Sequence, residues 1–504
     1  MSYLEQLRQT NSETLTLNGA KTWSATGNAC LDLFAVAGGM RYRSPSDLIK
    51  LFERAYIEEP ETAMKLLFYI RDIRGGMGER KTFRILLRHA AKVWPNSARK
   101  NVCLISEFGR FDDLFCLMGT PAEKEVIKVV KKQLEADLAA LEERKNGNPN
   151  AHISLLAKWM PSINTSSART RRTAERLVKV LNMTPKNYRK MLSALRANTC
   201  LTERYLTNNC IDKVQYSSVP AGAMLKYRNT FSKKDTERFD SYLEEVGNGT
   251  EKIHCETLFP YEIIRTFVKR IEGSLFGYTE IKDADKAVEK LWNNLPAELG
   301  NENAICVVDT SGSMSWHEVN GITPMLIAVS LGLYHAERCK GAFHNHFITF
   351  ESNPHLIEIH GETLQDKIRY IGNADWGGST NLEAVFNLLL ETAVDSGAKQ
   401  EELPSVIYII SDMEFNCAVR EPQNTVYDNV KELFRAFGYN LPTVVFINVN
   451  SWQMQAPVKA NQKGTALMSG MGVSSFKEKC DYNTTPLDHM YKILYSDRYK
   501  EVKA

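Results

Sequence analysis

The chain of 504 residues lacks the features of a secreted or membrane-spanning protein. No stretch approaches the roughly 18 consecutive apolar residues that a membrane helix needs, and the first residues lack the basic-then-apolar order of a signal peptide. Ten cysteines are present, but no two form a Cys-x-x-Cys pair, which argues against a zinc site and against a disulfide framework. These absences predict a cytoplasmic protein with reduced thiols and no membrane contact.

Neither sign of charge dominates the whole chain, but the two signs are unevenly distributed. The net charge is +3. Residues 303–504 hold 16 Lys and Arg against 23 Asp and Glu, whereas residues 1–302 hold 47 against 37. The first part is therefore basic and the second acidic, and we expect the two parts to have different partners.

One carboxylate and two hydroxyls follow a short apolar stretch in the acidic part. Residues 304–308 read AICVV, which predicts a buried strand. Asp309, Ser311 and Ser313 come directly after it, at the carboxyl end where ligands of open α/β sheets bind. Their oxygen atoms suit Mg²⁺, Mn²⁺ or Ca²⁺ better than zinc. The alternative is an ordinary serine-rich turn that caps the next helix.

Two later segments supply further oxygen ligands of the same kind. Thr380 precedes a helical pattern, and Asp412 follows a second predicted strand at residues 405–410. The sequence thus contains Asp-x-Ser-x-Ser, then Thr, then Asp. This order resembles the metal-ion-dependent adhesion site of von Willebrand factor A (vWA) domains, and all of its positions match.

The resemblance to vWA domains implies a metal centre and a protein partner. The hydroxyls of Ser311, Ser313 and Thr380 would coordinate a divalent ion directly, and Asp309 and Asp412 would do so directly or through water. One coordination position would remain for a carboxylate of the partner. We expect Mg²⁺, with Mn²⁺ or Ca²⁺ as alternatives that prefer the same oxygen ligands.

Two kinds of periodicity predict the fold class α + α/β. After residue 300, apolar strands alternate with helices, which predicts a doubly wound, mainly parallel vWA (Rossmann-like) domain at residues 301–504. Before it, helix follows helix without a fixed repeat, which predicts an all-α, HEAT-like (TROVE-like) domain at residues 1–300. The predicted helices of this domain include residues 45–56, 60–71, 81–93, 121–145, 169–182, 185–196, 233–246 and 261–271.

Basic residues are concentrated in two clusters of the predicted helical domain. Residues 65–100 contain ten basic and two acidic residues, and residues 158–196 contain ten and one. Tyr69, Phe83, Trp94, Trp159 and Tyr188 lie among them, and basic helices with aromatic side chains suit phosphate contacts and base stacking on RNA. A solvated helix face is the alternative. The residues that we predict to contact RNA are Arg74, Arg80, Lys81, Lys158, Arg169, Arg171, Arg172, Arg176, Lys179, Arg189, Lys190 and Arg196.

The order of a helical domain and then a vWA domain resembles the Ro autoantigen (TROVE-plus-vWA) proteins, which bind small non-coding RNA. The chain is more similar to a related uncharacterised family of the same layout. The segments that carry this resemblance are GNACLDLF (27–34), IRDIRGGMGER (70–80), LAKWMPS (156–162), NYRKMLSALR (187–196), WGGSTN (376–381) and SDMEF (411–415). The layout implies an RNA-binding scaffold whose helical domain holds small structured or single-stranded RNA, while its vWA domain binds the metal and a partner carboxylate.

No catalytic motif accompanies these features. The glycine-rich run from Gly75 has Arg80 where a phosphate-binding loop needs glycine, and the G-x-S-x-G nucleophile motif is absent. We therefore expect a protein that is not an enzyme. Two alternatives remain: a metal-dependent protein–protein adaptor that binds no RNA, and a metal-dependent nuclease, which the small number of carboxylates in the motif disfavours.

Overall fold

The computed structural model describes residues 12–41, 43–199, 201–270, 278–281, 285–301, 303–316, 321–372, 379–416 and 425–504, with the backbone alone at 269–270 and 278–281. The chain forms two compact units. The first, the sheet unit, consists of Met1–Leu66, Gly75–Met77 and Cys255–Arg498, and the second, the helical unit, of Leu67–Arg74, Gly78–His254 and Tyr499–Ala504. Each unit collects segments that are distant in sequence, so neither has the bounds of the predicted domains at 1–300 and 301–504.

The N-terminal segments contribute a hairpin and three helices. β1 (Glu13–Leu15) and β2 (Lys21–Trp23) pair antiparallel. The helices that follow are α1 (Ala29–Val36), α2 (Pro45–Glu58) and α3 (Pro60–Arg71). The side chain of Asn28 caps α1 by accepting a hydrogen bond from the backbone N–H of Leu31. Proline begins the other two helices, where its missing N–H has no helical partner to lose.

The helical unit is built from amphipathic helices whose apolar faces meet. Its helices are α4 (Arg80–Val93), α5 (Pro95–Lys100), α6 (Ile105–Phe108), α7 (Phe111–Leu114), α8 (Glu123–Lys145), α9 (Leu156–Trp159), α10 (Ala168–Val180), α11 (Pro185–Asn198), α12 (Thr202–Thr207), α13 (Ala221–Lys234) and α14 (Thr236–Gly247). In the core, the ring of Phe68 contacts those of Phe83 and Phe108 edge-on, with centroids 5.6 and 5.4 Å apart. Among all described residues, no helix is both long and apolar enough to cross a membrane.

Two of the predicted helices differ from those in the structure. Residues 233–246 belong to α13 and α14, because Asp235 between them has φ −149° and ψ 48°, outside the helical region. Its carboxylate instead accepts a hydrogen bond from the hydroxyl of Tyr216 at 2.7 Å. Residues 261–271 were also predicted to be helical, but α15 (Pro260–Ile264) is short and β3 (Val268–Arg270) follows it, paired with β4 (Tyr278–Ile281). Strand pairing outweighs the helical periodicity of this short apolar run.

A six-stranded sheet forms the centre of the sheet unit. Its strands are β5 (Ala304–Asp309), β6 (His346–Phe350), β7 (Leu356–Glu358), β8 (Val406–Ser411), β9 (Thr443–Asn448) and β10 (Thr465–Ser469), in the spatial order β10-β9-β8-β5-β6-β7. All neighbours run parallel except β6 and β7. The accompanying helices are α16 (Lys286–Asn293), α17 (Ser313–Trp316), α18 (Pro324–Arg338), α19 (Leu364–Gly372), α20 (Leu382–Ser396), α21 (Val426–Ala436) and α22 (Pro486–Leu494). The predicted fold class, helices plus a mainly parallel α/β sheet, is confirmed.

The N-terminal helix α1 belongs to the core of the sheet unit. Seven of its eight residues are buried. The hydroxyl of Ser469 in β10 donates to the carbonyl of Phe34 at 2.7 Å, and that of Ser451 donates to the carbonyl of Val36 at 2.9 Å. Gly38 lies so close to the sheet that a Cβ atom there would be 2.4 Å from the nitrogen of Gly470. The GNACLDLF segment is therefore a core element of the sheet unit.

Candidate functional site

The predicted metal ligands meet at the carboxyl edge of the sheet. Asp309 is the last residue of β5, and Asp412 comes directly after β8. The two strands are parallel neighbours, with Val308 opposite Ile410. Their carboxyl ends therefore lie side by side, at the edge where open α/β sheets bind ligands.

Hydrogen bonds hold the Asp-x-Ser-x-Ser turn in place. The buried carboxylate of Asp309 accepts from the backbone N–H of Ser311 at 2.9 Å and from the hydroxyl of Ser411 at 2.5 Å. The hydroxyls of Ser311 and Ser313 are 3.0 Å apart. The nearby hydroxyl of Ser313 favours the charged form of Asp412 and so opposes the rise in the pKa of that carboxyl. The structure thus brings four of the five predicted ligands into one connected group.

Asp412 has an unsatisfied oxygen at the centre of this group. Its side chain is 2% exposed, one oxygen accepts from the N–H of Glu414 at 3.2 Å, and Oδ2 has no hydrogen-bond partner within the described residues. Burial, and then the charge of Asp412, raises the pKa of Asp309, and burial likewise raises the pKa of Asp412. Two buried carboxyls and an orphaned oxygen can be stabilised in two ways, by protonation or by a bound positive charge. These residues therefore fit a hard divalent cation.

Thr380 reaches the group through the loop that follows β8. It lies two residues before α20, it is buried, and its hydroxyl donates to the carbonyl of Glu414 at 2.8 Å. It also contacts Oδ1 of Asn416 at 3.1 Å. The predicted segment WGGSTN is described only from Ser379 onward, since residues 376–378 lie outside the described part of the chain.

The turn between β1 and β2 supports the loop after β8. The sequence did not predict this contact. The hydroxyl of Thr16 donates to the carbonyl of Phe415 at 2.7 Å, and the N–H of Leu17 donates to the carboxylate of Glu414 at 2.8 Å. The amide of Asn18 donates to the carbonyl of Glu414 at 2.6 Å and to the hydroxyl of Thr380 at 3.2 Å. No local pattern indicates these contacts, because the partners are almost 400 positions apart.

The loop after β8 also contains a strained residue. Met413 has φ +67°, in the left-handed region that a residue with a side chain adopts at a cost of about 1–2 kcal/mol. Its N–H donates to the hydroxyl of Ser411 at 3.0 Å, and its carbonyl accepts from the amide of Gln455 at 3.2 Å. These two contacts hold the loop in the conformation that places Asp412 beside Asp309.

All twelve residues predicted to contact RNA lie in the helical unit. Arg80 and Lys81 are on α4, Lys158 is on α9, and Arg74 is in the segment before α4. Five others, Arg169, Arg171, Arg172, Arg176 and Lys179, are on α10, and Arg189, Lys190 and Arg196 are on α11. Most of these side chains are exposed. Two groups of arginines also include Arg84 and Arg88, which were not among the predicted residues.

The first group is a row of arginines along α4. Arg80, Arg84 and Arg88 are four residues apart and therefore share one face of the helix. Arg84 forms ion pairs with Asp113 at 2.5 Å and with Asp112 at 2.8 Å. Arg80 is exposed; partial burial, and then the charges of neighbouring arginines including Arg84, lower its pKa. Among the described residues, the guanidinium of Arg84 is thus neutralised by two carboxylates, and that of Arg80 forms no ion pair.

The second group surrounds a cavity of about 640 Å³, here called the arginine cavity. The apolar side chains of Phe115 and Met118 contribute to its lining. Four arginines also line it, namely Arg88, Arg169, Arg172 and Arg176. Arg88 joins the cavity to the row on α4. We refer to the row and the cavity together as the arginine surface, consisting of Arg80, Arg84, Arg88, Arg169, Arg172 and Arg176.

The predicted aromatic stacking surface is mostly absent from the described residues. Tyr69, Phe83 and Tyr188 are buried in the core, at 1%, 0% and 0% exposure, and so cannot stack on bases. Trp159 is partly exposed, but the guanidinium of Arg110 lies 3.9 Å from the centre of its ring. The prediction of base stacking by these residues is therefore wrong for at least three of them. The alternation of basic and aromatic letters reflects the two faces of amphipathic helices.

Arg196 has a structural role. Its guanidinium donates to the carbonyls of Ala157 at 2.8 Å and Met160 at 2.9 Å, and to the hydroxyl of Ser162 at 3.2 Å. Burial lowers its pKa. These bonds satisfy a carbonyl within α9 and the carbonyl of the residue that follows this helix, so Arg196 is not part of the arginine surface.

Comparison with known proteins identifies the family but no activity. Residues 16–132 and 123–304 match a domain of unknown function, DUF2828, over more than half of the chain. The chain belongs to the DUF2828 family. Residues 303–480 match a second domain of unknown function, DUF7788. The predicted relation to an uncharacterised family is confirmed at this level.

Two individual proteins are similar over nearly the whole chain. The uncharacterised protein L728 of Acanthamoeba polyphaga mimivirus is 28% identical over 516 residues, covering 95% of this chain and 86% of that protein. The crystal structure of the Deinococcus radiodurans Ro (RSR) protein is similar with a TM-score of 0.44 and 13% identity, covering 94% of this chain and 99% of that one.

Proposed function

We propose that the chain binds RNA through the arginine surface of its helical unit. The observation that supports this most directly is unneutralised positive charge. Arg80, Arg169 and Arg172 are exposed, and none of them forms an ion pair with any residue that the structure describes. Several uncompensated guanidinium groups on one surface attract a polyanion, and they repel one another when no polyanion is bound.

The spacing of the row on α4 suits a phosphate backbone. A rise of 1.5 Å per residue places successive arginines of the row about 6 Å apart along the helix. The guanidinium group binds phosphate oxygens through two parallel hydrogen bonds. Since the aromatic residues nearby are mostly buried, the surface would contact phosphates more than bases. We therefore expect binding that is sensitive to salt and tolerant of sequence.

We also propose that the sheet unit binds a divalent cation, most readily Mg²⁺. Asp309, Ser311, Ser313 and Asp412 would hold it, with Thr380 contributing from the loop beside them. The support for this is the unpartnered Oδ2 of Asp412 in a group of buried oxygen atoms. A bound cation would supply a positive charge to which the carboxylate of a protein partner could bind.

We propose no catalytic activity for this group of residues. A nuclease would need a base beside the cation that can reach water. Glu414, a further carboxylate near the group among the described residues, is only 1% exposed; one oxygen accepts from the N–H of Leu17 at 2.8 Å, and the other is buried without a partner there. Labelled RNA incubated with the protein and Mg²⁺ should therefore remain intact. Cleavage by the wild type that is lost in Asp412→Ala would show that the protein is a nuclease.

A charge-reversal experiment tests the RNA proposal. Fluorescence anisotropy with a short labelled RNA should show binding by the wild type and little binding by the double variant Arg80→Glu and Arg172→Glu. The matched control is Lys233→Glu and Lys234→Glu, which changes the net charge equally at two exposed residues of α13 in the same unit. The control should keep most of the affinity, because its residues are on neither α4 nor α10 and do not line the arginine cavity.

The same experiment separates RNA binding from the adaptor alternative. An adaptor that binds no RNA would give negligible affinity for the wild type and both variants alike. Its partner would instead depend on the cation, so that Asp309→Asn would abolish capture of an acidic protein. Specific loss of RNA binding in the arginine variant alone would support the scaffold.

A further inference from the structure

We infer that the arginine cavity binds a terminal phosphate group of the RNA, which makes the protein a reader of phosphorylated RNA ends. This inference rests on the proposed RNA binding and adds a ligand for one part of the arginine surface. Four guanidinium groups line a single cavity of about 640 Å³. This cavity is open to solvent, and its size can accommodate a small charged group together with part of the sugar attached to it.

The charges of the cavity do not balance. Arg176 pairs with Glu123, with 2.5 Å between Nε and Oε1. Within the part of the chain that the structure describes, the side chain of Arg88 hydrogen-bonds to neutral groups, the carbonyls of Cys116 at 2.6 Å and Met118 at 3.1 Å, and to no carboxylate. Arg169 and Arg172 form no ion pair within the described chain. Among the described residues, the four arginines that line the cavity therefore have one carboxylate partner, and the surplus of positive charge favours an anion with more than one negative charge.

Two of the four arginines in the cavity, Arg88 and Arg176, are held in place by hydrogen bonds within the protein. Glu123 accepts from the N–H of Gly119 at 2.8 Å with one oxygen and holds Arg176 with the other. One nitrogen of Arg88, Nη1, donates to the carbonyls of both Cys116 and Met118 and is thereby held in place. The first turn of α10 completes the wall, with Ala168 at its start and the hydroxyl of Ser167 capping the helix. The partial positive charge of this helix end adds to the field of the arginines.

The chemistry of the cavity favours a terminal phosphate over an internal one. A phosphate inside an RNA strand carries one negative charge. A terminal phosphate monoester carries about −1.5 to −2 at pH 7 and has three free oxygens that accept hydrogen bonds. Each guanidinium fork can engage two such oxygens. A terminal phosphate in the cavity would leave the adjoining nucleotides to follow the row on α4 through Arg88.

The test compares RNAs that differ only at their ends. Three versions of one short RNA carry a 5′ phosphate, a 3′ phosphate or hydroxyls at both ends, and anisotropy measures their binding to the full chain. We expect the wild type to bind at least one phosphorylated version about tenfold or more tightly than the hydroxyl version. The two phosphorylated versions show which end is recognised.

Variants of the unpaired arginines complete the test. Arg169→Gln with Arg172→Gln should abolish the preference for the phosphorylated end while the protein stays folded, because neither side chain loses a hydrogen bond or ion pair to any residue that the structure describes. Lys233→Gln with Lys234→Gln should keep the preference. Equal affinity of the wild type for all three RNAs would refute the inference and leave RNA binding intact, as would a preference that persists in Arg169→Gln, Arg172→Gln. Absence of binding to every version would refute both.

Discussion

The salt dependence of RNA binding provides a quantitative test of the arginine surface. For single strands, the logarithm of the binding constant falls with the logarithm of salt concentration, with a slope of about −0.7 for each phosphate neutralised. Replacing Arg80 and Arg172 by Gln removes two unpaired guanidinium groups and should make the slope shallower by about 1.4. If the variant and the wild type converge at about 1 M salt, they should differ by about 25-fold, or about 2 kcal/mol, at about 0.1 M.

The measurement is a series of anisotropy titrations between low and high salt on the wild type, the arginine variant and a control. The control, Lys233→Gln with Lys234→Gln, changes the net charge by the same amount on α13. Its slope should equal that of the wild type within error. Equal slopes for the arginine variant and the wild type would refute the reasoning, since they would mean that neither guanidinium contacts a phosphate.

Three further outcomes follow from the sheet unit. Millimolar Mg²⁺ should raise the melting temperature of the wild type but not of Asp309→Asn, whereas the exposed Asp395→Asn should respond like the wild type. Burial lowers the pKa of His335 to about 3, well below the value of about 6.5 in the unfolded chain. Protons therefore bind the unfolded state preferentially below about pH 6.5, and the wild type loses stability as the pH falls. In urea titrations between pH 7 and pH 5, His335→Leu should lose about 2 kcal/mol less stability than the wild type. A fragment of residues 301–504 should fail to unfold cooperatively by circular dichroism, because it lacks α1; a wild-type melting curve would contradict this.

Sequence reasoning succeeded where the signal is local. The apolar runs that end at Asp309 and just before Asp412 are short strands, so the parallel pairing of β5 and β8 was enough to bring these two predicted ligands together. The ends of the predicted helices and strands are mostly within a few residues of those observed. The hydroxyl of Ser411 could also have been suspected, since it stands beside Asp412 in the sequence.

The rest of both sites depends on contacts between distant segments. Arg88 and Arg172 line one cavity although they stand in separate basic clusters, because helix packing brings α4 and α10 together. Conversely, Tyr188 lies within a basic cluster yet points into the core, where its hydroxyl donates to the carbonyl of Pro161 at 2.9 Å. A count of basic and aromatic letters cannot separate the two faces of a helix when the packing partner is unknown.

The N-terminal turn shows why the sequence boundary near residue 300 does not delimit the metal group. Leu17 and Asn18 donate to Glu414, and Asn18 also donates to Thr380, so two of the loops that carry predicted ligands are fixed by residues from the opposite end of the chain. Five residues of the sequence predict a set of ligands, but the geometry of that set depends on the backbone that supports them. In this protein that support is supplied from outside the segment in which the motif lies, and the affinity for a cation should therefore depend on the turn as well as on the ligands themselves.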